Sequence, residues 1–267
     1  MANLAAVRAA SMAAAALVSG GPAGPASPIT GTWVADLGSQ QGLPTDVYLI
    51  RDGIYSCESC TPPRRYPADG RLRPVEGTPG VSEAATIVDS RILSTRIVQP
   101  DLDRVTRMKV ARDGRSATYV SIDRRRGIKG PLRTEYLARR AGPAPAGAHA
   151  ASGTWRGVRY VSVPIQLRTT ILEDRGDALS YRTGTGYSYT ARYGGPFAPI
   201  EGPYDGSLSV SVRRDGLYRL TETRRRGSRD VQVRTYSATR DGRMEIATTD
   251  VATGGTFRVT ARRRRGR

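Results

Sequence analysis

The sequence predicts an all-β protein made of two tandem, small, antiparallel up-and-down β-barrels, and three observations carry that expectation. The phrase Gly-Thr-Trp occurs twice, as Gly31-Thr32-Trp33 and Gly153-Thr154-Trp155, and holds the only two tryptophans. Each copy opens a stretch with the same later landmarks. These are Pro74-Val75-Glu76-Gly77 and Arg112-Asp113-Gly114 in the first, and Pro199-Ile200-Glu201-Gly202 and Arg240-Asp241-Gly242 in the second. The offsets of 122, 125 and 128 keep the order with little drift, as expected of one duplicated unit. Finally, turn signals recur at a spacing of about ten residues and no long stretch shows a helical stripe. An apolar content of 38%, with thirteen tyrosines, suits sheets with one wet face.

The elements follow in order. Residues 1–29 read as a signal peptide and disordered leader. Arg8 precedes a short apolar run over 9–18, with small residues and prolines after it. That predicts a periplasmic or secreted protein. No cysteine precedes Cys57, so no lipid-modified cysteine is expected, and no other segment resembles a transmembrane helix. The first unit spans 30–140, with strands over 46–50 and 54–57 around an Asp52-Gly53 turn, and further strands over 84–89, 91–98, 103–111, 116–122 and 132–138. Residues 141–151, rich in Ala, Gly and Pro, read as an interdomain linker. The second unit spans 152–267 and ends in an arginine-rich tail. Its strands are expected over 157–163, 165–172, 178–182, 186–193, 207–213, 216–224, 229–238, 243–249 and 255–262.

The Gly-x-Trp openings resemble those of the calycin superfamily, the lipocalin-like barrels. The resemblance implies that Trp33 and Trp155 pack at a barrel end beside an arginine from the last strand. The candidates for that arginine are Arg133 or Arg139, and Arg258 or Arg262. Ile29 to Trp33 followed by Leu37-Gly38-Ser39 resembles the opening of avidin-type biotin binders. Those binders line their pocket with further tryptophans that this chain lacks. More broadly, the run from Asp46 through Cys60 to Pro63, the Pro74 to Gly77 phrase, the joint before Gly153 and the Arg-Asp-Gly turns resemble a family of exported bacterial proteins of unknown function. That family looks like tandem lipocalin-like barrels and lends no activity to this chain.

Chemistry-bearing residues are few. Cys57 and Cys60 are the only cysteines, and in an exported chain their Cys-x-x-Cys spacing reads as a local disulfide. A zinc site would need about four ligands, and the sole histidine, His149, stands in the linker, so no metal, cofactor or histidine triad is expected. The carboxylate pairs Glu58 with Asp69, Glu173 with Asp174, and Asp101 with Asp103 carry no mark of an acid–base couple. No enzyme is expected.

The net charge is +18, nearly all of it arginine. Residues 30–140 contribute +6 and residues 152–267 contribute +11. The triplets Arg124-Arg125-Arg126 and Arg224-Arg225-Arg226 read as loop tips that solvate, or that form an anion-binding rim. Aromatic interleaving is too sparse for a nucleic-acid platform. The leading expectation is an exported, non-enzymatic binding protein holding a small lipophilic or anionic ligand in a barrel. The alternative is an envelope protein held by charge to polyanions such as lipopolysaccharide.

Overall fold

A computed structural model describes residues 27–202 and 207–264. Most of the expected leader, residues 1–26, and the tail residues 265–267 lie outside the described residues. Ile29, placed in the leader by sequence, is instead buried in a hydrophobic core, and its carbonyl accepts the indole N–H of Trp33.

The chain is all-β. The first repeat folds as β1 (Gly31–Ala35), β2 (Thr45–Arg51), β3 (Ile54–Cys57), β4 (Arg64–Pro67), β5 (Arg73–Pro74), β6 (Ser82–Asp89), β7 (Ile92–Gln99), β8 (Leu102–Val110), β9 (Ser116–Arg125) and β10 (Leu132–Ala141). The second folds as β11 (Gly153–Ser162), β12 (Thr169–Asp174), β13 (Ala178–Thr183), β14 (Ser188–Arg192), β15 (Ala198–Pro199), β16 (Leu208–Gly216), β17 (Arg219–Arg226), β18 (Arg229–Ala238), β19 (Arg243–Asp250) and β20 (Thr256–Arg263). The strand expected over 165–172 opens instead with one helical turn, α1 (Ile165–Arg168). Among the described residues, no helix is long and apolar enough to cross a membrane.

The strands form two ten-stranded antiparallel sheets, one curled into a nearly closed barrel and the other into a half-barrel. The sheets do not coincide with the repeats. In one, the order is β4-β3-β2-β11-β10-β9-β8-β7-β6-β5, and in the other β14-β13-β12-β1-β20-β19-β18-β17-β16-β15. We call them the first and second sheet. Each repeat therefore lends its Gly-Thr-Trp strand to the other. β11 lies between β2 and β10, pairing Trp155 with Asp46 and with Arg140, while β1 lies between β12 and β20, pairing Trp33 with Thr170 and with Arg263.

The units expected at 30–140 and 152–267 thus describe the duplication but not the sheets. The stretch 141–151 is not an interdomain linker. It joins neighbouring strands β10 and β11 of one sheet and packs onto β2: Ser152 is fully buried, its hydroxyl accepts from the Ile50 N–H, and the His149 N–H donates to the Ile50 carbonyl. The chain passes between sheets at 36–44 and 163–168 instead.

Register makes the repeats comparable position by position. Leu93, Met108, Tyr119 and Tyr136 lie in one cross-strand row, and Leu220, Tyr236, Ile246 and Val259 form the matching row. Both sheets carry a bulge at the same hairpin, before Asp89 and before Gly216. Each inner face has its own core cluster, one around Trp155, Tyr55 and Leu93, the other around Trp33, Tyr236 and Leu220.

Candidate functional site

Both tryptophans are buried, and each donates its indole N–H to the carbonyl four residues earlier, Ile29 at 2.8 Å and Ala151 at 2.9 Å. A guanidinium stacks over each ring, Arg140 at 4.2 Å from Trp155 and Arg263 at 4.9 Å from Trp33. The arginines expected there were one residue off or more distant. Arg139 and Arg262 fall on the outward phase of their strands and are exposed, and two bulges between β10 and β11 shift the register. Arg140 is fixed by the carbonyls of Gly114, Ser152 and Ala150. The glycine of the phrase leaves room for it. A Cβ on Gly153 would stand 2.6 Å from the Arg140 guanidinium, and the backbone there has a φ of +114°.

The inner face of the second sheet holds a fully buried glutamate. Glu222 accepts the hydroxyls of Tyr189 at 2.8 Å and Tyr236 at 3.0 Å, and pairs with Arg224. Arg234, opposite Glu222 on β18, donates to Tyr181 at 3.3 Å, Tyr236 at 3.2 Å, Gln232 at 3.1 Å and Thr248 at 3.1 Å, all of them neutral. Burial pulls the Glu222 carboxyl upward, but Arg224 and Arg234 more than offset it and hold it below the usual glutamate value. Burial pushes the Tyr189 and Tyr236 phenols well up, so both remain donors. The cluster has two guanidiniums and one carboxylate.

The inner face of the first sheet is charged at different positions. Arg104 grips Asp123 with two bonds of 2.6 and 2.8 Å, and Arg125 adds a third at 2.9 Å. Arg125 also reaches across to the hydroxyl of Tyr187, in the turn between β13 and β14, at 2.9 Å. Arg64 pairs with the buried Glu83 at 2.7 Å. Asp46 receives the Tyr136 hydroxyl at 3.2 Å.

The arginine triplets are not loop tips. Arg124 and Arg125 end β9, Arg126 follows them, and Arg224, Arg225 and Arg226 end β17. Strand alternation divides each set. Arg125 and Arg224 turn inward onto Asp123 and Glu222, Arg126 pairs with Asp101 and Arg225 with Asp230, so neither triplet forms a continuous rim. Arg124 is exposed, and Arg226 is half-buried with its Nε unpartnered.

Of the carboxylates weighed as pairs, four more are tied to arginine: Asp69 to Arg73, Asp103 to Arg96, Glu173 to Arg175 and Asp174 to Arg214. Cys57 and Cys60 are joined as a disulfide. Among the described residues, no group of three His, Cys, Asp or Glu side chains is placed to hold a metal.

Two surface grooves complete the picture. One, of about 460 Å³, mixes Glu173 and Glu201 with Arg175 and Arg182. The other, of about 600 Å³ on the outer face of the first sheet, contains Lys109, Arg139 and Arg159 and no carboxylate. With Arg107 and Arg156 beside them on β8 and β11, these exposed cations have no ion-pair partner among the described residues. Comparison with family models, curated proteins and solved structures finds no match to this chain.

Proposed function

We propose that this is an exported, non-enzymatic binding protein of calycin-like architecture, and that the second sheet holds a small anion beside Arg224 and Arg234. The observation that carries the reading is the sharing of one carboxylate, Glu222, between the buried Arg224 and the half-buried Arg234 guanidinium on the same inner face. A charge taken out of water without a counter-charge costs several kcal/mol. All four acceptors around Arg234 are neutral. A ligand carboxylate, sulfate or phosphate supplies the missing charge, and a guanidinium suits it geometrically. The twin repeat supports this reading. Where the second sheet has Glu222, Arg224 and Arg234, the first has Thr95, Ile97 and Thr106, so the strand plan forms without these charges. The tryptophan under an arginine from a neighbouring strand is the arrangement that the calycin resemblance implies.

The test is thermal unfolding of the full chain with monocarboxylates, sulfate and phosphate at matched ionic strength. A ligand at a hundred times its Kd stabilises by about 2.7 kcal/mol, which is several degrees in Tm for a chain of this size. Arg234→Met is expected to abolish that shift. An equal shift in Arg234→Met and the parent would dismiss the site.

A second reading, attachment to polyanionic envelope material, is favoured by one observation: the five unpaired cations on the outer face of the first sheet. It relocates the surface, since the sequence pointed to the triplets and the second unit.

A further inference from the structure

We propose that the inner face of the first sheet carries a separate site for a small organic cation, formed by the Asp46 carboxylate and the rings of Tyr48, Tyr119, Tyr136 and Tyr160. This site is independent of the anion site in the second sheet.

Asp46 is the exception among the inward-facing carboxylates. Glu83, Asp123 and Glu222 each hold an arginine. Among the described residues Asp46 forms no ion pair, in a chain where arginine is in large excess. It stands opposite Trp155 across β2 and β11, so it shares the inward phase of that pair. Its partners are phenols, Tyr136 at 3.2 Å and Tyr48 beside it. Two guanidiniums of the same inner face are committed elsewhere, Arg104 to Asp123 and Arg140 to three backbone carbonyls. Burial pushes the Asp46 carboxyl up from its usual value, and the two phenol hydrogen bonds offset only part of that.

The surrounding rings are what a cation needs. Tyr119 and Tyr136 stack with centroids 4.4 Å apart, and Tyr160 tilts against Tyr136 at 5.6 Å. Aromatic faces present negative potential, and cages of such rings hold quaternary ammonium groups. Asp46, Tyr48, Tyr136 and Tyr160 are half-buried and keep accessible surface although they face inward.

The duplicated repeat again serves as a control. Register places Thr170, Leu172, Ile246 and Val259 where the first sheet has Asp46, Tyr48, Tyr119 and Tyr136. The same strand plan therefore forms with one threonine and three aliphatic residues at these positions. Folding alone does not require a carboxylate among tyrosines, and a positive ligand is the chemistry that the set accommodates.

The experiment is calorimetric titration of the full chain with choline chloride. Its uncharged isostere 3,3-dimethylbutan-1-ol and potassium chloride at equal ionic strength serve as controls. Choline is expected to bind at least about tenfold more tightly than the isostere, in line with cation–aromatic attraction in a desolvated site. Asp46→Asn and Tyr136→Leu are each expected to weaken choline by about tenfold or more, while Arg234→Met leaves it unchanged, separating this site from the anion site. Both Asp46→Asn and Tyr136→Leu are made, so one folded variant suffices. Failure of the folded parent to bind choline would overturn the proposal. So would parity between choline and the isostere, or full choline affinity in a folded Asp46→Asn or Tyr136→Leu protein.

Discussion

Glu222 shows how much one side chain decides in this fold. It is fully buried, and among the described residues its carboxylate is the only negative charge beside Arg224 and Arg234. Its carboxyl titrates below the unfolded glutamate value. It therefore contributes stability that is complete above the unfolded value and is lost as pH falls through the folded one. Glu222→Gln is expected to destabilise the protein at neutral pH by about 3–5 kcal/mol, because it leaves two guanidiniums without a counter-charge. Denaturant unfolding at several pH values checks this, and the variant should also lose the parent's acid-side slope.

None of this was legible in the sequence, where Glu222 is one acidic residue in an arginine-rich strand. The tryptophans were legible because the phrase repeats. Their arginine partners were missed by one residue because Arg139 and Arg262 lie on the outward phase of their strands, whereas Arg140 and Arg263 stand opposite the tryptophans. Residues Gly31 and Gly153 turn out to be the glycines that leave a guanidinium room above each indole.

At the scale of strands, periodicity recovered the long elements and lost the short ones. β4 follows directly on Pro62-Pro63, which reads as a strand terminator, and β5 and β15 are two residues each, too short for any pattern. The 165–172 segment alternates well enough to pass for a strand, yet begins with the turn that follows Pro164.

Alternation also explains the arginines. A triplet on a strand cannot form one surface, because neighbouring side chains point to opposite faces. A basic face needs cations from several strands in register. The row from Lys109 through Thr118 and Leu137 to Arg159 supplies that on β8 to β11. Sedimentation with anionic vesicles is expected to fall steeply between low salt and 1 M, where the Debye length is about 3 Å. Replacing Lys109, Arg139 and Arg159 together by glutamine should weaken the low-salt binding severalfold, whereas replacing Arg124 and Arg126 should matter less. Equal sedimentation of the Lys109, Arg139 and Arg159 variant and the parent would remove the outer face from consideration.

Over the whole molecule, the duplication was readable from spacing, but the exchange of opening strands was not. Sequence order places β1 with the repeat it begins, and nothing in residues 36–44 or 163–168 states which sheet receives the chain next. Only pairing reveals that β2 to β11 form one sheet while β1 joins β12 to β20. The two sheets then carry separate charge sets on one plan, a carboxylate among tyrosines in the first and a surplus guanidinium in the second. The cation-site assignment depends on that pairing, since Asp46 faces inward by its match to Trp155. The pairing can be read in the full chain by oxidising paired cysteines and mapping the linked peptides. Val47→Cys with Thr154→Cys joins positions that are direct cross-strand partners here, and Val47→Cys with Thr32→Cys joins those that would pair if each repeat kept its own first strand. The structure predicts a cross-link between 47 and 154 and none between 47 and 32, and the reverse result would contradict the exchange.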